Sequence, residues 1–173
     1  TTIQLGAMTC TVRSLLGTGS FGRVYSCLEA KSGSSVAVKF FGKGNLAVDQ
    51  LAQQEAKMLA AAQGHGIVKI LAYARWDGHA CIVMEQMLSN TYAVMRGRKQ
   101  RGTAGVPLPQ LQQWGRQLAA AVAHLHVKGV GHCDIKPENI LVSSLEPNEI
   151  CLTDLSNART FGPEGRCETL TTR

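Results

Sequence analysis

Three glycines in the string Leu16-Gly17-Thr18-Gly19-Ser20-Phe21-Gly22-Arg23-Val24 limit what this chain can become more than any other feature. A residue without a Cβ lets the backbone turn tightly and approach another group closely. Successive N–H groups can then point into the concavity, where they suit phosphate oxygens. Several nucleotide-binding architectures share this spacing, so its surroundings decide between them. A dinucleotide-binding fold needs a helix directly after the last glycine and an acidic residue about 20 positions on. Here Val24–Ala30 reads as a strand, and the acid nearest that distance is Asp49, well past it. A P-loop needs Lys followed by Ser or Thr after its last glycine, whereas this chain has Arg23-Val24. The glycines therefore join two strands.

The flanking pattern extends that reading. Ile3–Leu16 is expected to enter a first strand. Lys31-Ser32-Gly33-Ser34 is a turn, and Ser35-Val36-Ala37-Val38-Lys39-Phe40-Phe41 is a strand rich in β-branched and aromatic residues. Leu46–Gln63 has no Gly or Pro and abundant Ala, Gln and Leu, which predicts a helix with Leu51, Glu55, Met58 and Leu59 on one face. Strands are expected near 67–74 and 79–86, around the turn at Asp77-Gly78. Arg96–Gly105, with its basic residues and glycines, reads as a solvated loop. After Pro107 and Pro109, a long helix is expected over 110–128, burying Leu111, Trp114, Leu118, Val122 and Leu125. Short strands and loops fill the remainder. The fold class is α+β, with an N-terminal antiparallel sheet and one inserted helix.

Composition narrows the setting. The chain has 173 residues, with 18 basic and 12 acidic side chains giving +6, an excess that suits ATP, acidic peptides or nucleic acid without choosing among them. Its six cysteines form no C-x-x-C pair and mostly sit in apolar runs. That pattern suits buried thiols in a reducing, intracellular compartment, cytoplasmic or nuclear. His124 and His126 are two apart on the expected helix, so they point to different faces and make a poor metal pair. No apolar run has the length of a membrane span, and no membrane partner is expected. The start, Thr1-Thr2-Ile3, has neither initiator Met nor signal-peptide pattern and is expected to mark a processed product or a piece of something longer.

Three further signals follow in order. Val36-Ala37-Val38-Lys39 places a lysine on the strand that follows the glycine-flanked pair. Glu55 lies on the helix after it. Then comes His132-Cys133-Asp134-Ile135-Lys136-Pro137-Glu138-Asn139-Ile140-Leu141, with Asp154-Leu155-Ser156 a short distance beyond Asn139. Together these resemble a eukaryotic-type protein kinase domain of the Ser/Thr type. Asp134 with Cys133 before it, followed by Asp154-Leu155-Ser156-Asn157-Ala158, resembles the dual-specificity and splicing-kinase branch.

The resemblance implies a protein-kinase-like fold, with an ATP-binding lobe over 1–86 and a partial C-terminal lobe, helical but incomplete, over 87–173. It implies ATP and Mg²⁺ as cofactors and a protein substrate with a Ser or Thr acceptor, with no specific nucleic acid. Leu16, Gly17, Thr18, Gly19, Ser20, Phe21, Gly22, Arg23 and Val24 would cover the nucleotide. Lys39 would hold its phosphates and Glu55 would orient Lys39. Met84-Glu85-Gln86-Met87 would link the lobes, with Met84 as gate and the backbone of Glu85 and Met87 on adenine. Val24, Ala37 and Leu141 would sandwich the base. Asp134 would orient the substrate hydroxyl and accept its proton, Lys136 would steady the γ-phosphate, and Asn139 and Asp154 would hold the metal.

The chain also departs from the family pattern. Cys133 stands where many members have an Arg that anchors an activation-loop phosphate, so phosphorylation at Thr160, Thr169, Thr171 or Thr172 lacks its usual partner. Ser156 replaces a Gly, a change expected to resist the backbone angles needed there. The sequence ends at Arg173, soon after Asp154, with no A-P-E-like motif, so the chain is expected to be C-terminally truncated and too short for full activity. Trp114 and Leu118 are then expected to lose part of their packing partners. A nucleotide-binding scaffold without turnover is the alternative function. A small-molecule kinase is disfavoured by Lys136-Pro137-Glu138-Asn139.

Overall fold

The computed structural model describes residues 1–19, 21–103, 105–143 and 149–162. The chain divides into two units, one of Thr1–Ala60 with Lys69–Gln86, the other of Ala61–Val68 with Met87–Arg173. Residues 61–68 thus group with the second unit although they precede the last strands of the first.

The first unit is a six-stranded antiparallel sheet with one helix. Its strands are β1 (Thr2–Leu5), β2 (Met8–Gly19), β3 (Gly22–Glu29), β4 (Ser35–Phe41), β5 (Ile70–Trp76) and β6 (His79–Glu85), in the order β1-β2-β3-β4-β6-β5. The single strand expected over Ile3–Leu16 is two. Gly6 adopts φ +62°, which reverses the chain so that Leu5 pairs with Met8. This fold-back lays Ile3 and Leu5 over Cys10, Cys27, Val36, Val38, Cys81 and Val83, forming the core on one face of the sheet. Helix α1 (Leu46–Ala61) starts where the Asn45 side chain accepts hydrogen bonds from the N–H groups of Ala47 (2.9 Å) and Val48 (3.4 Å). Its buried residues are Ala52, Glu55, Ala56 and Leu59, a single stripe at helical spacing.

Among its described residues the second unit holds α2 (Thr91–Gln100), α3 (Leu108–Val127) and five short strands: β7 (Ser89–Asn90), β8 (Val130–Gly131), β9 (Ile140–Val142), β10 (Ile150–Leu152) and β11 (Arg159–Thr160). They pair as β10-β9-β7 and β11-β8. The loop expected from Arg96 is instead helix as far as Gln100. The Asn90 side chain caps α2 by accepting from the Ala93 N–H at 2.8 Å, and the buried Thr91 hydroxyl donates to the Pro137 carbonyl at 2.9 Å. Arg98 and Lys99 in the last turn favour the negative end of the helix dipole.

On α3 the buried residues are Trp114, Ala121 and Leu125, while Leu111 is 52% exposed. Trp114 keeps packing partners within this unit. It clusters with Val142 and Ile150, and Val94, Val106, Leu118 and Ile140 pack around them. No helix among the described residues is long and apolar enough to cross a membrane.

Candidate functional site

In the first unit the glycine string forms the β2–β3 hairpin, with Gly17 opposite Val24, Thr18 opposite Arg23 and Gly19 opposite Gly22. The three glycines have different reasons to be glycine. A Cβ on Gly22 would lie 2.0 Å from the Phe40 carbonyl oxygen, so β4 backbone forbids any side chain there. A Cβ on Gly17 would meet nothing within 4 Å, and one on Gly19 only the Gly22 oxygen at 3.9 Å. Those two leave open space over the hairpin. Ser20 lies outside the described residues, as do Thr169, Thr171 and Thr172.

Strand register places the remaining residues of this unit. Val24 pairs with Lys39 and Lys39 with Ile82, while Ser26 pairs with Ala37 and Ala37 with Met84. Val24, Ala37, Lys39 and Met84 therefore share one face of the sheet. Ala37 and Met84 are buried there. Glu85 is tied to Lys69, donating its N–H to the Lys69 carbonyl at 3.0 Å and accepting from the Lys69 N–H through its carboxylate at 2.7 Å.

Lys39 Nζ lies 2.8 Å from each carboxylate oxygen of Glu55. The two side chains are only 9% and 1% exposed, and Lys39 also sits 5.0 Å from the centroid of the Phe41 ring. An ammonium held by both oxygens of a buried carboxylate has a fixed position. It presents a cation at the sheet face rather than sweeping through solvent.

The second unit gathers its own group of polar side chains around Asp134. His132, 3% exposed, donates from Nε2 to the Thr153 carbonyl at 3.0 Å, which leaves Nδ1 to accept the Asp134 N–H at 3.3 Å. One imidazole thus ties the loop to the segment that precedes Asp154. Asp134 Oδ2 accepts from Lys136 Nζ at 2.7 Å, Asn139 Nδ2 at 3.2 Å and Asn157 Nδ2 at 3.5 Å. Asn139 Nδ2 also donates to the Asp134 carbonyl at 2.9 Å, and the Asn139 carbonyl accepts from the Thr153 N–H at 3.0 Å. The Lys136 ammonium holds the Asp134 carboxyl below its ordinary range, helped by the two amides. Asp134 in turn raises the Lys136 ammonium.

Two residues of this loop system carry left-handed backbone: Cys133 at φ +61° and Asp154 at φ +62°. Asp tolerates that region, whereas Cys is strained there by about 1 kcal/mol. Ser156 is not at positive φ. The discomfort expected at this substitution does not arise, because Ser156 lies in a short 3-10 turn over Leu155–Asn157 and donates its hydroxyl to Asp154 Oδ1 at 2.7 Å. Leu155 is buried, and Leu141 lies on β9 between Asn90 and Cys151. Thr160 is exposed on β11, paired with Val130.

Lys39, Glu55, Val24, Ala37 and Met84 thus stand together in the first unit, and Asp134, Lys136, Asn139 and Asp154 in the second. Thr153 and Asn157 escaped sequence reasoning. Thr153 acts through its backbone carbonyl, which no residue type announces, although the Asn157 amide was visible three positions after Asp154. His124 and His126 are engaged elsewhere. His124 Nε2 bonds the Ala62 carbonyl at 3.0 Å, and His126 meets Phe161 edge-on at 5.4 Å.

Comparison with known proteins adds relatives to this geometry. The protein kinase domain family matches residues 10–173. A dual specificity protein kinase YAK1 homolog of Arabidopsis thaliana is 34% identical over 155 residues, covering 85% of this chain and 16% of that protein. Serine/threonine-protein kinase D2 of Homo sapiens is 32% identical over 155 residues, covering 86% and 17%. Serine/threonine-protein kinase AFC1 of Arabidopsis thaliana is 31% identical over 140 residues, covering 78% and 29%. The chain spans under a third of the length of each of these relatives.

Proposed function

This chain belongs to the protein kinase family, and on that premise we propose that it transfers the γ-phosphate of Mg-ATP to serine and threonine hydroxyls of protein substrates. The observation that carries the reading is the Asp134 carboxylate, whose Oδ2 accepts hydrogen bonds from Lys136, Asn139 and Asn157 that hold its carboxyl below the ordinary range. A carboxylate held in that state can align a hydroxyl and take its proton as the oxygen attacks. Lys136 meets negative charge developing on the transferred group. Residues 1–86 act as the nucleotide-binding lobe and 87–173 carry the catalytic loop. Lys39, steadied by Glu55, binds phosphate oxygens, while Leu16–Val24 cover them. Val24, Ala37 and Leu141 hold the adenine, and the backbone of Glu85 and Met87 bonds its edge beside Met84.

The donor set suits magnesium. Both donations from the Asn139 side chain leave through Nδ2, so its Oδ1 stays an oxygen donor, and Asp154 adds a carboxylate. Hard oxygens of this kind are what Mg²⁺ selects. When bound, the ion neutralises charge on the phosphates. Ser156 orients Asp154 for it through the 2.7 Å hydrogen bond. The free, buried thiols of Cys10, Cys27 and Cys81 suit a reducing intracellular setting, cytoplasmic or nuclear.

The test is Mg²⁺-dependent phosphate transfer from labelled ATP to a generic Ser/Thr substrate by a form of this chain extended through a full kinase domain, with Asp134→Asn alongside. Transfer that falls by about 10²–10⁴-fold in the variant supports the reading. ATP-dependent thermal stabilisation without any transfer replaces it with a nucleotide-binding scaffold.

A further inference from the structure

The net charge of +6 is concentrated in one stretch. Between Glu85 and Asp134 the chain has no Asp or Glu, and it holds six cations: Arg96, Arg98, Lys99, Arg101, Arg116 and Lys128. Elsewhere twelve basic residues are matched by twelve acidic ones, so this stretch accounts for the whole excess. Four of the six lie between positions 96 and 101, on α2 or directly after it.

These cations have different employment. Arg98 turns toward the loop after the helix, donating from Nε to the Gly105 carbonyl at 2.9 Å. Arg96 and Lys99 have no ion pair among the described residues. With Tyr92, Met95 and Gln100 they line a groove of about 640 Å³ along α2. Their spacing puts them on one helix face, and all are exposed, Tyr92 by 44% and Met95 by 39%. The opposite face is anchored. Thr91 bonds Pro137, and Val94 packs against the Trp114 cluster. The outward face is therefore presented on a fixed helix, tied through Thr91 to the catalytic loop.

We infer that this face of α2 docks an acidic segment of a partner protein. Carboxylates of that segment pair with Arg96 and Lys99, and an apolar side chain between them rests on Tyr92 and Met95. Arg and Tyr are enriched at protein interfaces, and Met adapts to varied apolar partners. Nucleic acid fits less well. Backbone binding draws on many spread cations, whereas this groove offers two cations about one helical turn apart beside an apolar strip. The docking is independent of phosphate transfer and is read by binding alone.

The probe is a fluorescein-labelled peptide of alternating Glu and Leu, followed by anisotropy at low salt against the whole chain. Its Gln-for-Glu counterpart and a single-stranded uridine RNA serve as comparisons. Arg96→Glu with Lys99→Glu is expected to weaken the acidic peptide about tenfold or more, and Tyr92→Ser with Met95→Ser about threefold. Arg116→Glu with Lys128→Glu, on and just after α3, is expected to change it by less than about twofold. Circular dichroism confirms that each variant is folded. Absence of binding to the acidic peptide overturns the inference. So does RNA binding that is tighter and equally sensitive to Arg96 and Lys99, or an equal loss from the α3 pair.

Discussion

Replacing Glu55 with Leu removes the partner of a buried lysine, and its cost follows from the geometry. The two contacts at 2.8 Å are charge-assisted hydrogen bonds, each worth about 1.5–3 kcal/mol. Removing one member of a buried ion pair generally costs about 3–5 kcal/mol, since the other charge stays out of water. The ammonium left behind is not bare, because the Phe41 ring lies 5.0 Å away and Lys39 makes further contacts. The expectation is therefore the lower end, about 3 kcal/mol for Glu55→Leu and a similar loss for Lys39→Met. The double variant Lys39→Met/Glu55→Leu exchanges both charges for apolar groups, and it should fall within about 1 kcal/mol of the starting protein. Urea unfolding measures all three. Trp76 lies in the same unit as the pair and Trp114 in the other, so a Trp114→Phe background makes fluorescence report on the correct unit. Single variants that each lose less than about 1 kcal/mol, with a double variant equal to their sum, would refute the view that this pair is buried and coupled.

Three further outcomes test other parts of the structure. Gly22→Ala must displace the β4 backbone, since its Cβ would lie 2.0 Å from the Phe40 oxygen. It should lose about 1–3 kcal/mol and raise the KM for ATP, while Gly17→Ala, with open space, loses little stability. The Lys136 hydrogen bond depresses the Asp134 carboxyl from its ordinary 3.8. Its contribution to stability is thus complete above that value and lost as pH falls through the lower folded value; carboxyl NMR should show Lys136→Met moving Asp134 back up. Burial pushes the Cys81 thiol up to about 12 and Cys27 up to about 11. At pH 8, iodoacetamide with peptide mapping should label exposed Cys133 at least about tenfold faster than either. Because the folded thiols titrate above 9.0, the stability they contribute is intact below that value and lost as pH rises toward 11 and 12.

Local sequence determined much of this protein. A β-branched run sets β4 and therefore the face on which Lys39 stands. A Gly- and Pro-free run with Asn45 before it sets α1 and the stripe carrying Glu55. Asp134, Lys136 and Asn139 are close neighbours in the chain, so their types and spacing already prescribe a carboxylate flanked by a cation and an amide. These features were legible because neighbouring residues interact whatever surrounds them. Tertiary structure decided the rest. The stretch from Arg96 reads as a loop from its charge and glycine, yet it is helix as far as Gln100. Asn90 caps α2, and Thr91 reaches a carbonyl 46 residues away. Ser156 reads as a misfit, yet the left-handed residue is Asp154, and the serine hydroxyl bonds its carboxylate. The link from His132 to the Thr153 carbonyl spans 21 residues, and the Asn157 contact with Asp134 spans 23. A backbone carbonyl has the same chemistry in every residue type, so only the folded path of the chain selects which one a side chain meets.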